Sequence, residues 1–274
     1  MIISVDEAGP GLLQALAGLQ GRRGIFPGPE GSLAFLCEGR ILVEKAIEEM
    51  AAGRLRVQMV LGSQACLEKI AETSPASLLL VVGESDFITQ LAGFTFHRGA
   101  LAWVDLPAPP PRSELFAAKR LLVLPQLVDI ENLGLLLRSA AALGMDAVLY
   151  GKGPEVFDRR SVRVSMGACW KIPVYRSDDP LADLMQWRQG GGKVFAAALK
   201  PDSLSSYTWG PDGRCALILG QEGPGLPEEW LLVADHTLMI PMARDIDSLN
   251  VAAAGAILMH QLVSRNCVES SAGS

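Results

Sequence analysis

Short apolar runs without polar alternation punctuate the second half of the chain: KRLLVLPQL, MDAVLYG, KVFAAAL, CALILG and HTLMIPM. That is the pattern of parallel strands covered on both faces. NLGLLLRSAAALG, DDPLADLMQWRQG and DSLNVAAAGAILMHQLVS, lying between and after them, predict helices. Pro180 suits a first helical turn, and Ser248 is the expected cap of the last helix. Together these elements predict a three-layer α/β domain. In the first half, VQMVLG, SLLLVVG and ALAWVDL read as strands, with LEKIAET as a helix between the first two. EGRILVEKAIEEMAAG sets Ile41, Leu42, Ala46 and Met50, with the stems of Lys45 and Glu49, along one stripe and stops at Gly53. This predicts an amphipathic helix with a glycine terminus.

Between the halves, LPAPPPRS from Leu106 to Ser113 suits neither a helix nor a central strand. The expected organisation is therefore a domain at 1–106, a Pro-rich linker at 107–113, a domain at 114–266 and a polar tail at 267–274. A length of 274 residues with 49% hydrophobic content suffices for two modest cores. No apolar run nears the roughly 20 residues that span a bilayer, and MIISVDEAGP opens acidic where a leader would be basic. The expected location is the cytoplasm, with no membrane partner. Cys37, Cys66, Cys169, Cys215 and Cys267 are odd in number and scattered, which speaks against disulfide and zinc frameworks. The net charge of −6, from 24 basic and 30 acidic side chains, excludes nucleic-acid binding through the whole surface. Any such contact must be a local patch.

Three segments of the second half place polar residues and glycines just after a strand or at a helix start, where open α/β sheets bind ligands. In DIENLGLLLRSAAALG, Asn132 and Arg138 are six apart and so not on one helical face; Asn132 reads as a cap or loop residue. Arg138 is either a helix arginine paired to a structural acid or a fork for an anion. In ALILGQEGPGLPEEW, three glycines follow a strand, as a structural turn or a ligand loop around Glu222. It is neither a dinucleotide fingerprint nor a P-loop, and GGGKV fails the same test; a further reading, a nucleotide-dependent oxidoreductase, needs the dinucleotide fingerprint that is absent. In HTLMIPMARDIDSLNVAAAGAILMH, the bland reading has Ser248 as cap and Asn250 in the first turn, with the Ala252 to Gly255 face packing on another helix or subunit. His97, His236 and His260 lack spaced partners, so no metal site is expected. Arg159, Arg160 and Arg163 in DRRSVRVS form the one basic cluster, a solvated face or a phosphate patch.

In this order and spacing, NLGLLLRSAAALG, LGQEGPGL and IPMARDIDSLNVAAAGAIL resemble the three motifs of the SpoU (TrmH) family of RNA ribose methyltransferases, over residues 119 to 264. VRVSMGACWKIPV looks like the family's connecting segment. FLCEGRILVEKAI and FTFHRGALA look like the small RNA-binding domain that precedes the enzyme in members acting on ribosomal RNA. The resemblance implies an α/β trefoil-knot (SPOUT) domain with a smaller N-terminal α/β RNA-binding domain, working as a homodimer. It implies methyl transfer from S-adenosylmethionine, without a metal, to a ribose 2′-hydroxyl of RNA, ribosomal RNA first; transfer-RNA methylation and a non-catalytic RNA-binding dimer are the alternatives. Carried over by position, Asn132, Arg138, Glu222, Ser248 and Asn250 would be catalytic. Leu199, Gly220, Ile240 and Leu249 would hold the cofactor, and Arg159, Arg160 and Arg163 the RNA. Gln221, Ala252 and Ile130-Glu131 depart from the family's commonest residues, though none removes a catalytic group.

Overall fold

The alternation of apolar runs and amphipathic segments resolves into two β-sheets, each within its own unit of the chain. In the structure, a computed structural model describing residues 2–4, 24–28, 32–96, 99–211, 213–221, 223, 225–244 and 248–271, residues 1–108 with 155–167 form one unit. Residues 109–154 with 168–274 form the other.

The first unit holds β1 (Ile2–Ser4), β2 (Phe26–Pro27), β3 (Leu33–Glu38), α1 (Arg40–Ala51), β4 (Val57–Gly62), α2 (Gln64–Ala71), β5 (Leu79–Val82), α3 (Ser85–Ala92) and β6 (Ala100–Asp105). Its strand order is β1-β5-β4-β6-β3-β2. β1, β5 and β4 run parallel, whereas β6 lies antiparallel between β4 and β3. Phe26, Leu36, Leu61, Ile88 and Trp103 pack into one core, with the Phe26 ring edge-on to Trp103 at 5.1 Å. The buried stripe of α1 is turned from the expected one: Leu42, Val43, Ala46 and Ile47 are buried, while Ile41 is 57% exposed. The glycine terminus stands, since Gly53 has φ +73, a left-handed conformation suited to the residue after a helix end.

In the second unit come α4 (Arg112–Ala117), β7 (Arg120–Gln126), α5 (Ile130–Leu143) and β8 (Ala147–Lys152). The chain then supplies α6 (Arg159–Val164) to the first unit, although the sequence pattern placed it in a continuous 114–266 domain. β9 (Val174–Arg176), α7 (Pro180–Arg188), β10 (Lys193–Ala197), β11 (Leu204–Ser205), β12 (Cys215–Ile218), α8 (Glu228–Leu232), β13 (His236–Met239) and α9 (Val251–Ser271) complete the second unit. Its strands have the order β11-β13-β10-β12-β7-β8-β9, and every pairing is parallel. β12 is inserted between β7 and β10 although it follows both in the chain.

Each of the five apolar runs read as parallel strands forms one here, and the central residues of β7, β8 and β12 are buried, as continuous apolar sequence dictates. The Trp187 indole N–H donates to the Ala118 carbonyl at 2.8 Å. A Cβ at Gly192 would come within 2.3 Å of that ring, so GGGKV is glycine-rich partly to let the tryptophan pack. The 107–113 linker is shorter than expected, because α4 begins at Arg112. The cap of α5 is Asp129, whose side chain accepts from Glu131 N, so Asn132 lies inside the first turn and is not the cap or loop residue expected. Cys37, Cys66, Cys169 and Cys215 are buried. Among the described residues no helix is long and apolar enough to cross a membrane.

Candidate active site

Because the strands of the second unit are parallel, their carboxyl ends share one side of the sheet. Loops after β10, β12 and β13 meet the start of α9 there around a cavity of about 450 Å³. Leu199, Gly220, Ile240 and Leu249, the four positions expected to hold a cofactor, come from four separate segments and all border it. Ser248 borders it as well. Leu199 and Leu249 are exposed at 56% and 36%, which puts apolar side chains at the cavity wall.

The glycine loop after β12 has a structural cause. A Cβ on Gly220 would sit 2.7 Å from the Gly225 carbonyl carbon and 2.8 Å from Leu226 N, so the loop folds back on its own start. Gln221 pairs with Gly225 across the turn. Gly223 and Gly225 take φ values of +85 and +71, which non-glycine residues rarely adopt. Gly220, Gln221, Gly223 and Gly225 border the cavity. Glu222, the expected catalytic acid, lies outside the described residues.

At the start of α9 the roles differ from the bland expectation. Asn250, not Ser248, caps the helix: its Oδ1 accepts from Ala252 N at 2.9 Å and from Ala253 N at 3.3 Å. With its oxygen so engaged, Asn250 turns its Nδ2 outward and donates to Asn132 Oδ1 at 2.9 Å. Asn132 is buried on α5, and its amide retains two N–H donors of its own. The structure therefore joins two expected catalytic residues that are 118 positions apart. Gly255, one turn on, lets α9 come close to its neighbours, since a Cβ there would lie 2.6 Å from Leu136 and 2.7 Å from Leu219.

Arg138 is exposed on α5, about 120° around the helix from Asn132. It does not border the cavity, and among the described residues it has no ion-pair partner, so the reading of a helix arginine held by a structural acid finds no support. The basic cluster divides differently. Arg159 and Arg163 both donate to the carboxylate of Glu38, Arg163 at 3.2 Å, and Glu38 is only 4% exposed. The Arg159 guanidinium also stacks over Phe94, 3.7 Å from the ring centre. These two arginines neutralise a buried acid within the first unit, leaving Arg160 as the exposed member. His236 is exposed beside Phe195, His260 is exposed on α9, and His97 lies outside the described residues. Among the described residues no three His, Cys, Asp or Glu side chains group as metal ligands.

Two features were not legible in advance. Lys200 borders the cavity three residues beyond β10 and is the one charged side chain among its described lining residues. A second cavity of about 250 Å³ lies behind the same glycine loop, where Gln126, Lys152, Asp178 and Glu229 meet Gly220 and Gly225. A charged residue following a strand was the available signal, but such residues are common at strand ends.

Comparison with known proteins turns this geometry into an assignment. Residues 119–260 match the SpoU rRNA Methylase family. The chain is 31% identical, over 85% of its length and 82% of the relative's, to an uncharacterized tRNA/rRNA methyltransferase of Mycobacterium tuberculosis. It is 34% identical to a 23S rRNA (guanosine(2553)-2′-O)-methyltransferase of Bacillus subtilis, over 56% of this chain and 61% of that one. The fold is similar to the SpoU methyltransferase AviRb from Streptomyces viridochromogenes, solved in complex with AdoMet, with a TM-score of 0.73 at 21% identity, covering 94% of this chain and 99% of that one. An AdoMet-bound rRNA methyltransferase from Sinorhizobium meliloti is similar to the same degree, with a TM-score of 0.73 at 21% identity over 97% and 98% of the two chains. The chain belongs to the SpoU rRNA methylase family of RNA methyltransferases.

Proposed function

We propose that the protein transfers a methyl group from S-adenosylmethionine to a ribose 2′-hydroxyl, with ribosomal RNA as substrate. The observation that carries this is the gathering of Leu199, Gly220, Ile240 and Leu249 around one cavity, next to the joined Asn132 and Asn250. A volume of about 450 Å³ lies within the range of cofactor pockets. Its walls of apolar side chains and strand-end backbone fit an adenosine, whose ring faces need burial and whose edges need peptide N–H and C=O groups. The name of the Bacillus subtilis relative favours ribosomal RNA and the 2′-oxygen.

The cofactor supplies an electrophilic methyl group, so what the protein must add is positioning of the 2′-oxygen and help with a weakly acidic proton. A guanidinium with a pKa above about 12 is a poor proton acceptor. Arg138, exposed and without an ion-pair partner among the described residues, is assigned to hold the phosphate beside the target ribose. Asn132, its Oδ1 held by Asn250, has its amide donors left to orient the substrate, and Ser248 lines the cavity wall. The proposal keeps the trefoil knot, for which the insertion of β12 between β7 and β10 is the supporting observation. It also keeps RNA recognition by the first unit and a homodimer, with the partly exposed Leu135 and Ile257 as apolar positions on α5 and α9. Arg160 replaces the three-arginine patch as the RNA contact of that segment.

The test is methylation of ribosomal subunits, free ribosomal RNA and transfer RNA with labelled S-adenosylmethionine, followed by nucleoside digestion. Label is expected in a 2′-O-methylnucleoside from ribosomal RNA. Label on a base, on transfer RNA alone, or none with any substrate would overturn the proposal at the reaction, the substrate or the activity. Arg138→Ala should lower kcat by about tenfold or more while leaving S-adenosylhomocysteine binding unchanged. A variant that kept turnover and merely weakened RNA binding would remove Arg138 from the catalytic set.

A further inference from the structure

We infer that Lys200 holds the carboxylate of the cofactor's methionine end. This rests on the reading above that S-adenosylmethionine occupies the cavity. The cofactor carries three charges at neutral pH: a carboxylate, an ammonium and a sulfonium. The carboxylate is the single anion. Facing it, the described lining of the cavity is backbone, apolar side chains, the uncharged Gln221 and Ser248, and one cation, Lys200. Like charges repel in a partly enclosed site, so an ammonium on its wall settles beside the carboxylate and away from the sulfonium.

The loop that carries Lys200 is built before any ligand arrives. Ser203 Oγ accepts the Lys200 backbone N–H at 3.1 Å, and the same hydroxyl lies 2.9 Å from both the Ala198 carbonyl and Thr237 Oγ1. Ala198 N donates to the Leu238 carbonyl, tying the loop to β13. Pro201 restricts the backbone at the next position. The lysine's Cα is therefore fixed at the carboxyl end of β10 while its four-carbon stem keeps the ammonium adjustable. Lys200 is exposed, and among the described residues it has no ion-pair partner, so its charge is not already spent on the protein. The competing use of such a cation is an RNA phosphate. The cavity favours the carboxylate, because Lys200 borders the same space as Gly220, Ile240 and Leu249.

Calorimetry on the full chain with two probes separates the possibilities. S-adenosylhomocysteine carries the carboxylate, whereas 5′-methylthioadenosine keeps the adenosine and sulfur without the amino-acid end. Lys200→Gln should weaken S-adenosylhomocysteine about fivefold, the scale of one partly exposed ion pair, and leave 5′-methylthioadenosine unchanged. Lys200→Arg should recover most of the loss, and the difference between wild type and Lys200→Gln should shrink as salt is raised. Equal weakening of both probes would mean the substitution disturbs the loop, and would overturn the inference. Unchanged S-adenosylhomocysteine binding together with a raised KM for RNA would assign Lys200 to a phosphate and overturn it as well. If the wild-type chain bound neither probe, the cofactor reading of the cavity would fail, and this inference with it.

Discussion

The carboxamide of Asn250 has its oxygen committed to the first turn of α9 and its nitrogen to Asn132. Its two ends can be tested apart. Asn250→Ala removes the cap and a partner of a buried amide, and should lower stability by about 1 to 2 kcal/mol in urea unfolding. Asn250→Asp keeps a capping oxygen, and a carboxylate at a helix start is favoured by the helix dipole. Asn132 would then rotate its amide to donate to that carboxylate. Stability should stay within about 0.5 kcal/mol of wild type, while methyl transfer falls because the Asn132 donors now face the wrong way. An Asn250→Asp enzyme with full turnover would show that this orientation is not used. No local pattern relates positions 132 and 250; the motif resemblance named both residues, but the bond between them belongs to the fold. Asn132 looked like a cap from sequence because asparagine favours caps, yet Asp129 stands three positions earlier and takes that place. Arg159 and Arg163 looked like a phosphate patch because their partner, Glu38, is more than a hundred residues upstream.

At the scale of elements, length decided what could be read. The five apolar runs of the second unit have no polar face, so only burial on both sides suits them. β9, β11 and α6, of three, two and six residues, are too short to show a period. The small-residue face of α9 was legible as a packing face but not its partner, a neighbouring helix or another subunit. Gly255 meets Leu136 of α5 and Leu219 after β12, so part of that face packs within the unit. Gly255→Ala gains helix propensity but brings a Cβ within 2.6 Å of a leucine methyl that must move. A net loss of about 1 to 3 kcal/mol is expected, measured by urea unfolding. Because Ala254, beside it, borders the cavity, S-adenosylhomocysteine affinity should fall in the same variant. A stability equal to wild type would mean that both leucines swing aside at no cost.

The chain as a whole crosses between its units more often than the sequence suggests. The proline-rich segment marks one crossing because prolines exclude regular structure there. Residues 155–167 make the other, an excursion to the first unit and back, and nothing in DRRSVRVS announces it: a run with three arginines reads as a solvated face. Its folded role is to cover and neutralise. Phe157 packs on Phe35 at 4.9 Å, and Arg159 and Arg163 hold the carboxylate of Glu38, whose side chain is 3% exposed. A fragment cut after residue 108 keeps all six strands of the first sheet but leaves Glu38 without these cations and Phe35 without this ring. An unpaired buried acid costs about 3 kcal/mol or more, and in a domain of this size each kcal/mol shifts Tm by about 4 to 8 °C. Residues 1–108 alone should therefore melt at least about 10 °C below the same fragment with 155–167 joined by a flexible linker. Glu38→Gln in the joined fragment should reduce that advantage, because it removes the charge that the two arginines pair with. Equal melting of the two fragments by circular dichroism would show that the first unit is complete without the excursion, and that 155–167 is only a connection.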